Sequence, residues 1–330
     1  MNFYNKVVLI TGGTGSFGRG LSSHLLKKYK LKKIIIFSRD ELKQFEMSNE
    51  EVYKKNHKIM RFFIGDVRDY KRLEYAMNGV DYVVHAAALK QVPTAEYNPD
   101  EFVKTNIIGA QNVIDACIAK NVKKIVALST DKAAAPINLY GATKLCSDKF
   151  FTAANNKTGS RKIIFSVVRY GNVMGSRGSV IPYFKTLKKS DFFPITDIRM
   201  TRFNITMDQS INLVLFALSN AKGSEIFVPK IPSYKILDVA KAINPDCKTK
   251  VVGIRPGEKI HEEMITESDS HTTFDLGKCY AIVNPSNGLI LKYYKNKKNF
   301  KKVPENFSFN SGKNKENLTI KQLKILISTL

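Results

Sequence analysis

Short apolar runs alternate with amphipathic stretches along the first half of the chain. Six runs rich in valine, isoleucine and phenylalanine predict buried strands at 6–10, 33–37, 59–64, 81–85, 124–128 and 163–169. Between them, apolar residues recur at helical spacing, as at Leu21, Leu25 and Leu26 or across 100–120. Strands that alternate with helices predict an α/β fold built on a Rossmann-type, doubly wound parallel sheet.

The pattern becomes less regular after the sixth strand. We therefore expect two regions: a Rossmann domain over 1–170 that also carries the catalytic residues, and a smaller substrate-binding lobe over 171–330. The second region is expected to be partly interleaved with the first. Near its end, the apolar spacing of 318–326 predicts a docked amphipathic helix.

A glycine-rich turn joins the first strand to the first helix. Its sequence is TGGTGSFG, and strand–turn–helix is the context that gives such a turn meaning. Glycines allow a tight turn and close approach of the backbone to a pyrophosphate at the helix N-terminus. The residues predicted to bind a dinucleotide here are Gly12, Thr14, Gly15, Ser16, Phe17 and Gly18.

The tip of the second strand indicates which dinucleotide is bound. Binders of unphosphorylated NAD usually place an acid there for the ribose hydroxyls. This chain has Ser38 and Arg39 instead, with Lys43 close by, and these suit a 2′-phosphate. Asp40 and Glu41 follow, so NAD stays the alternative, but the sequence favours NADP.

Residues at later strand ends complete the predicted cofactor site. We expect Asp66 to accept a hydrogen bond from the adenine amino group and Val67 to pack on the ring. Small residues after the fourth strand leave room for the cofactor, whereas His85 at its end is interpreted as a packed histidine. The additional cofactor-binding candidates are Ala86, Lys90, Tyr140, Lys144 and Val173.

The stretch STDKAAAPINLYGATK, residues 129–144, carries the candidate catalytic groups. Tyr140 and Lys144 are four apart at the start of a predicted helix, so the two side chains share a face. A nearby ammonium favours the phenolate, which then accepts a proton near neutral pH. Just before them, Thr130, Asp131 and Lys132 follow a strand end, where open α/β sheets bind ligands.

Two basic turns in the second half are candidates for a phosphorylated substrate. The first contains Arg199 and Thr201 and the second Arg255 and Glu258. Lys90 and Asn172 are the other predicted substrate-binding residues. The alternative interpretation, two solvated loops, stays open at this point.

Composition narrows the class of protein. The chain has 330 residues and a net charge of +24, of which +8 lies in 291–330 with ten lysines and two glutamates. The lysines are scattered, so we interpret the charge as lysine-rich composition that attracts an anionic ligand rather than nucleic acid. Cysteines 117, 146, 247 and 279 are widely spaced, which favours a reducing cytoplasm and no thiolate metal site. We expect no signal peptide, no membrane span and no bound metal.

Taken together, these segments resemble the extended short-chain dehydrogenase/reductase superfamily. More closely, they resemble the inverting UDP-N-acetylglucosamine 4,6-dehydratases of pseudaminic acid biosynthesis, which serve flagellin glycosylation. The resemblance rests on TGGTGSFG, FSRDELKQ, STDKAAAPINLYGATK, RYGNVMGSRGSVIP, DIRMTRF, IRPGEKIHEEMI and FNSGKNKENLTIKQL. Two positions depart from the family pattern: Ala135 replaces an expected asparagine and Asn204 an expected tryptophan. We expect the first to loosen the catalytic loop and the second to alter the substrate rim.

The resemblance implies a cytoplasmic, NADP-dependent lyase that forms a homo-oligomer, in this family a hexamer. Its substrate would be UDP-N-acetylglucosamine and its product UDP-2-acetamido-2,6-dideoxy-β-L-arabino-hex-4-ulose. In the hypothesis, Tyr140 takes the proton of the sugar 4-hydroxyl and Thr130 hydrogen-bonds the reacting oxygen. Lys132, neutral when it acts, takes the proton from carbon 5, and a protonated Asp131 gives one to the departing 6-hydroxyl.

Three other functions are considered. A UDP-sugar 4-epimerase would use Tyr140 and Lys144 but leave Asp131 and Lys132 without a role. A retaining 4,6-dehydratase would return the proton at carbon 5 to its original face. A nucleotide-sensing or nucleic-acid-binding protein would use the charge without any chemistry.

Overall fold

The structure is a computed structural model that describes residues 3–176, 178–187 and 192–330. The described strands are β1 Val7–Thr11, β2 Lys33–Ser38, β3 Met60–Ile64, β4 Tyr82–His85, β5 Lys124–Thr130, β6 Ile164–Tyr170, β7 Asn172–Val173, β8 Phe192–Ile195, β9 Thr201–Ile205, β10 Glu225–Pro229, β11 Ser233–Lys235, β12 Lys248–Val251, β13 Glu263–Ile265, β14 Thr273–Asp275, β15 Cys279–Val283, β16 Lys301–Lys302 and β17 Phe309–Asn310.

The described α-helices are α1 Ser16–Lys28, α2 Glu41–Asn49, α3 Glu51–Lys54, α4 Tyr70–Ala76, α5 Val92–Tyr97, α6 Pro99–Phe102, α7 Gly109–Ala119, α8 Leu139–Ala153, α9 Val180–Thr186, α10 Met207–Asn220, α11 Ile236–Ile243, α12 Gly288–Asn296 and α13 Ile320–Ser328. Short 3₁₀ turns cover Asp131–Ala133, Ala154–Lys157 and Ser268–Thr272, and one π-helix covers Val103–Ile108.

The six apolar runs of the first half form β1 to β6, which together with β10 make up the parallel part of a ten-stranded sheet. Its strand order is β16-β14-β15-β10-β6-β5-β4-β1-β2-β3. The last seven strands of this order, from β10 to β3, run parallel to one another. The order reverses where β1 lies between β2 and β4, which is where doubly wound sheets bind ligands. The predicted fold class is therefore confirmed.

Two local differences from the predicted elements bear on function. β5 extends two residues beyond the predicted end and reaches Thr130. The candidate catalytic stretch therefore begins directly at the carboxyl end of this strand. The helix predicted over 100–120 is interrupted by the π-helix, a feature that often marks functional sites. There Asn106 hydrogen-bonds the backbone of Leu89 through both ends of its amide.

The second half contributes to two layers. β10, β15, β14 and β16 continue the large sheet, with β10 hydrogen-bonded directly to β6. A smaller core lies among α9, α11, α13 and β8, where Phe184, Phe193, Val239 and Leu323 are fully buried. The C-terminal helix predicted from the apolar spacing is α13, which starts with a capping box at Thr319.

Among the described residues, no helix is long and apolar enough to cross a bilayer, and no cluster of three or more His, Cys, Asp or Glu side chains is placed to hold a metal ion.

Candidate functional site

Two clefts meet above the carboxyl ends of the parallel strands. The first, of about 700 Å³, lies over the glycine turn, and the second, of about 770 Å³, faces the second half of the chain. Both are lined by Lys90, Gln91, Thr130, Tyr140, Asn172, Ser176 and Gly178. Tyr140 and Thr130 therefore lie where a molecule in one cleft would contact a molecule in the other.

Every residue predicted to bind the cofactor lines the first cleft. These residues are Gly12, Thr14, Gly15, Ser16, Phe17, Gly18, Ser38, Arg39, Lys43, Asp66, Val67, Ala86, Lys90, Tyr140, Lys144 and Val173. Gly12 has φ of +63°, and a Cβ there would lie 2.8 Å from the Ala87 nitrogen. A Cβ on Gly18 would lie 2.5 Å from Cα of Gly13. Only glycine fits this close-packed turn, so the floor of the cleft is bare backbone, as a pyrophosphate requires.

The tip of β2 is held to the glycine turn and presents a cation. The Ser38 hydroxyl lies 2.7 Å from that of Thr14, and Arg39 extends half-exposed with a nitrogen 3.5 Å from the Asp66 carboxylate. Asp40, the acid that follows Arg39 in the sequence, accepts hydrogen bonds from both the side chain and the backbone nitrogen of Lys43, and these lower its pKa. Because the Asp40 carboxylate caps α2, Ser38 and Arg39 are the groups left to contact a ribose substituent.

The end of β5 and the start of α8 bring the catalytic candidates together. Asn138 caps α8 by accepting from the Gly141 nitrogen at 2.8 Å. Gly141 packs so closely against the Lys132 carbonyl that a Cβ there would clash with it. This contact fixes Tyr140 beside the 3₁₀ turn that holds Asp131 and Lys132.

Lys132 lies between two buried carboxylates. Its Nζ is 3.1 Å from Oδ1 of Asp131 and 2.9 Å from Oε1 of Glu262. Burial lowers the pKa of Lys132, but the two carboxylates outweigh burial and raise it above its ordinary value. The hypothesis required a neutral Lys132, and the structure shifts the pKa in the opposite direction because the charge of Asp131 is joined by that of Glu262, which was absent from that hypothesis.

Asp131 lies beneath the wall of the clefts. It is fully buried and is not among the described lining residues, whereas its neighbours Thr130 and Lys132 line the second cleft. Burial raises the pKa of the Asp131 carboxyl, Lys132 opposes the shift, and Glu262 adds to it. The Thr130 hydroxyl donates to Oδ1 of Asp131 at 3.0 Å. Asp131 is therefore connected to the cleft indirectly, by its contacts with Thr130 and Lys132.

The buried surroundings of Tyr140 favour its neutral form. Burial raises its pKa to about 12, while the Lys132 ammonium and a hydrogen bond with Thr130 act in the opposite direction. Lys144 is itself buried, and burial lowers its pKa. The sequence argument assumed that Lys144 would outweigh everything else, but it could not estimate the cost of removing the phenolate from water.

The predicted substrate-binding residues separate into two groups. Arg255 and Glu258 line the second cleft, and the Asn138 amide donates to the Gly257 carbonyl at 2.7 Å, which ties their turn to the start of α8. Asn172 and Lys90 line both clefts.

Arg199 and Thr201 are not among the described lining residues of either cleft. Arg199 is 66% exposed and pairs with Asp197 at 2.7 Å. Thr201 is buried and hydrogen-bonds Ser311 and His261. The structure therefore does not bring this turn to the other predicted substrate-binding residues.

Three charged residues of the second cleft were missed from the sequence: Arg202, Lys259 and Glu262. Each lies within a segment that carried the family resemblance, and Arg202 and Lys259 are each next to a residue that was selected. Strand alternation supplies the signal for Arg202, because successive side chains of β9 point to opposite faces. Glu262 had no comparable signal, since its partner Lys132 is 130 positions away along the chain.

The two residues that depart from the family pattern, Ala135 and Asn204, lie in different structural environments. Ala135 adopts φ of +42°, a left-handed conformation that asparagine tolerates better than alanine. Asn204 is buried on β9 with Oδ1 lacking a partner among the described residues, and it is not among the lining residues of the second cleft. Arg177, within RYGNVMGSRGSVIP, lies outside the described residues.

Comparisons with known proteins find one matching family and relatives with two different named activities. Residues 8–284 match the family model described as "Polysaccharide biosynthesis protein". A Campylobacter jejuni protein named "UDP-N-acetylglucosamine 4,6-dehydratase (inverting)" is 53% identical, over 99% of this chain and 98% of its own length. A Rickettsia canadensis protein named "UDP-glucose 4-epimerase" is 41% identical, over 99% and 97%. The solved structure of Pen from Bacillus thuringiensis superposes with a TM-score of 0.90 at 38% identity, over 100% and 99% of the two chains.

Proposed function

The chain belongs to the polysaccharide biosynthesis protein family, in the group that includes the inverting UDP-N-acetylglucosamine 4,6-dehydratases, and we propose that it catalyses this dehydration. The single observation that carries the proposal is the Asp131–Lys132 pair beside Tyr140, at the junction of two clefts. A 4-epimerase needs the tyrosine alone, whereas elimination of water also needs an acid and a base near carbons 5 and 6.

The first cleft is proposed to hold NADP. The glycine turn fits a pyrophosphate, and Ser38, Arg39 and Lys43 fit a 2′-phosphate because the nearby Asp40 is engaged in capping α2. Asp66 and Val67 form the adenine end of the cleft. A nicotinamide cofactor supplies reversible hydride acceptance and return, so the net reaction is the loss of water alone.

The second cleft is proposed to hold the UDP-sugar. Arg255 binds a phosphate, and the Glu258 carboxylate binds ribose hydroxyls. Their turn is hydrogen-bonded to the cap of α8, so the nucleotide end of the substrate is set at a fixed distance from Tyr140. Lys90 and Asn172 contact the sugar where the clefts join.

Proton transfers are assigned to the residues at the junction. Tyr140, acting as the phenolate after loss of its own proton, accepts the proton of the sugar 4-hydroxyl, with Thr130 hydrogen-bonded beside it. The ketone at carbon 4 makes the hydrogen at carbon 5 acidic. Asp131, whose pKa is raised by burial, stores the proton that the departing 6-hydroxyl needs, and passes it through Thr130 or Lys132. Transfer of one proton from Lys132 to Asp131, whose atoms lie 3.1 Å apart, makes Lys132 the base that accepts the proton of carbon 5 and Asp131 the acid for the departing hydroxyl. Protonation of carbon 5 on the opposite face then gives the inverted configuration.

The product would be UDP-2-acetamido-2,6-dideoxy-β-L-arabino-hex-4-ulose, the starting compound for pseudaminic acid and flagellin or other surface glycosylation. A cytoplasmic homo-oligomer, a hexamer as in the resembling family, is proposed with it.

Incubation with UDP-N-acetylglucosamine followed by mass analysis tests the function. Loss of the mass of one water is expected, and NMR coupling constants should give the inverted configuration at carbon 5. An unchanged mass with a new sugar would identify a 4-epimerase, and the original configuration a retaining dehydratase. No conversion would contradict all three enzymes.

A further inference from the structure

We propose that the face formed by the amino ends of the parallel strands binds the anionic phospholipid surface of a membrane, with the two clefts turned towards solution. This surface, called the basic face below, consists of Lys6, Lys222 and the segments 27–33, 54–61, 120–124 and 157–162. It lies at the opposite end of the strands from both clefts, so its partner is independent of the proposed reaction.

The fold collects on this face lysines that are scattered along the sequence. The four segments contain fifteen lysines and arginines within 26 residues and no aspartate or glutamate. They lead into the first residues of β2, β3, β5 and β6. Because parallel strands all begin at the same edge of a sheet, segments that are far apart in the chain meet on one face.

Backbone hydrogen bonds show how close these strand starts are. The Lys32 nitrogen donates to the Lys6 carbonyl at 2.9 Å, which joins the starts of β2 and β1. The Lys123 nitrogen donates to the Asp81 carbonyl at 2.9 Å, and the Ile164 nitrogen donates to the Lys123 carbonyl at 3.0 Å. Neighbouring strands lie about 4.8 Å apart, so the seven parallel strands give a face roughly 30 Å wide.

The acids at the same strand starts already have partners. Oδ1 of Asp81 lies 2.6 Å from Nζ of Lys123 and 3.8 Å from that of Lys6. Glu225, the first residue of β10, is fully buried and accepts hydrogen bonds from the backbone nitrogens of Lys222 and Gly223. These two carboxylates therefore leave most of the positive charge of the face uncompensated.

Several cations of the basic face are exposed and, within the part of the chain that the structure describes, have no ion pair. They are Lys30, Lys32, Lys157, Arg161 and Lys162. A helix dipole favours a cation in the last turn of a helix, as at Lys28 of α1. Lys32 and Lys162 lie in loops that directly precede strands, so helix stabilisation does not account for them.

The composition and shape of the face favour a lipid surface over nucleic acid. Thirteen of the fifteen basic residues in the four segments are lysines, whose point charges suit a diffuse anionic surface. Arginine, with its rigid fork, is the usual choice where single phosphates are bound in a fixed geometry. Tyr4, 66% exposed two residues before Lys6, adds an aromatic ring of the kind found at the level of lipid headgroups.

Co-sedimentation of the full chain with vesicles tests the proposal. Vesicles of equal parts phosphatidylglycerol and phosphatidylcholine should bind the protein, whereas vesicles of pure phosphatidylcholine should not. The bound fraction should fall as salt is added, because salt screens exposed charges. The triple variant Lys30→Glu, Lys32→Glu, Lys162→Glu should lower the partition coefficient about 10- to 100-fold.

Two further variants make the result specific to this face. Glutamine in place of glutamate at the same three positions should give a smaller loss, and a native unfolding midpoint verifies folding. Lys315→Glu, Lys321→Glu, Lys324→Glu is the matched control, since it makes the same charge change on three exposed lysines of α13 and the turn before it. These lie on the lobe at the carboxyl ends of the strands, and this control should bind vesicles as the native protein does.

Each result supports or overturns the assignment. Selective loss of binding in the basic-face variant supports it. Equal losses in that variant and the control would show attraction by net charge alone, and would overturn it, as would no binding to the anionic vesicles. A single-stranded RNA or DNA oligonucleotide that displaced the protein from vesicles, and whose binding the basic-face variant alone lost, would assign the face to nucleic acid instead.

Discussion

The hydroxyls of Ser38 and Thr14 lie 2.7 Å apart, so the tip of β2 is hydrogen-bonded to the glycine turn. The position of the cation that follows Ser38 is thereby fixed relative to the floor of the first cleft. Cofactor preference then depends mainly on what stands at position 39.

Arg39→Asp should change the cofactor preference from NADP to NAD. The substitution removes a charge-assisted contact to the 2′-phosphate and places a carboxylate there, which should cost about 1.5–3 kcal/mol of NADP binding free energy. Fluorescence or calorimetric titration of both cofactors measures this. Arg61→Asp makes the same charge change outside both clefts and should leave the preference intact. Equal affinity of the native protein for the two cofactors would contradict the assignment.

Arg255→Ala should raise the Michaelis constant for UDP-N-acetylglucosamine far more than it lowers turnover. A phosphate contact made equally in ground and transition states contributes binding without accelerating chemistry. Steady-state kinetics gives both parameters. Arg199→Ala separates the two basic turns, because Arg199 is exposed and paired with Asp197 away from the clefts. An unaltered Michaelis constant in Arg255→Ala would exclude Arg255 from the substrate site. A large rise of the Michaelis constant in Arg199→Ala would place Arg199 in that site instead.

Asp131→Asn and Lys132→Met should each bind cofactor and substrate almost normally but lose dehydration by about 10²–10⁴-fold. Oxidation at carbon 4 needs Tyr140 rather than this pair, so reduced cofactor should accumulate and absorb in the near ultraviolet. Tyr140→Phe should abolish both that absorbance and the product. In heavy water the native protein should place deuterium at carbon 5 in the inverted configuration. If Lys132→Met dehydrated the substrate at the native rate, the Asp131–Lys132 pair would have no part in the mechanism.

Ala135→Gly should stabilise the protein by about 0.5–1 kcal/mol. At φ of +42° the alanine Cβ makes the left-handed backbone sterically unfavourable, and glycine adopts that conformation without this cost. Urea or thermal unfolding measures the change. Ala119→Gly, at the exposed end of α7, should instead destabilise by a similar amount, since glycine lowers helix propensity. A lower midpoint for Ala135→Gly would show that the loop is not strained there.

The sequence predicted the residues that line the first cleft better than those that line the second. Strand, turn and helix fix Gly12 to Gly18 locally, so a short motif was enough to place them. Arg255 was identified for the same reason, since its turn is a compact local unit. Glu262 and Arg202 act on Lys132 across the two halves of the chain, and no local pattern reports such a contact. The resting charges of Tyr140 and Lys132 were also beyond the sequence, because they depend on burial and on those distant partners.

The pairing of β10 with β6 has a consequence for synthesis of the chain. When the first 170 residues have left the ribosome, β6 presents an unpaired, apolar edge, and its neighbour β10 is still untranslated. The first half is therefore not a transferable module: a hybrid that exchanges it between relatives must keep β6 matched to β10 and β15. Where that match fails, strand-edge aggregation rather than loss of catalysis should be the first symptom.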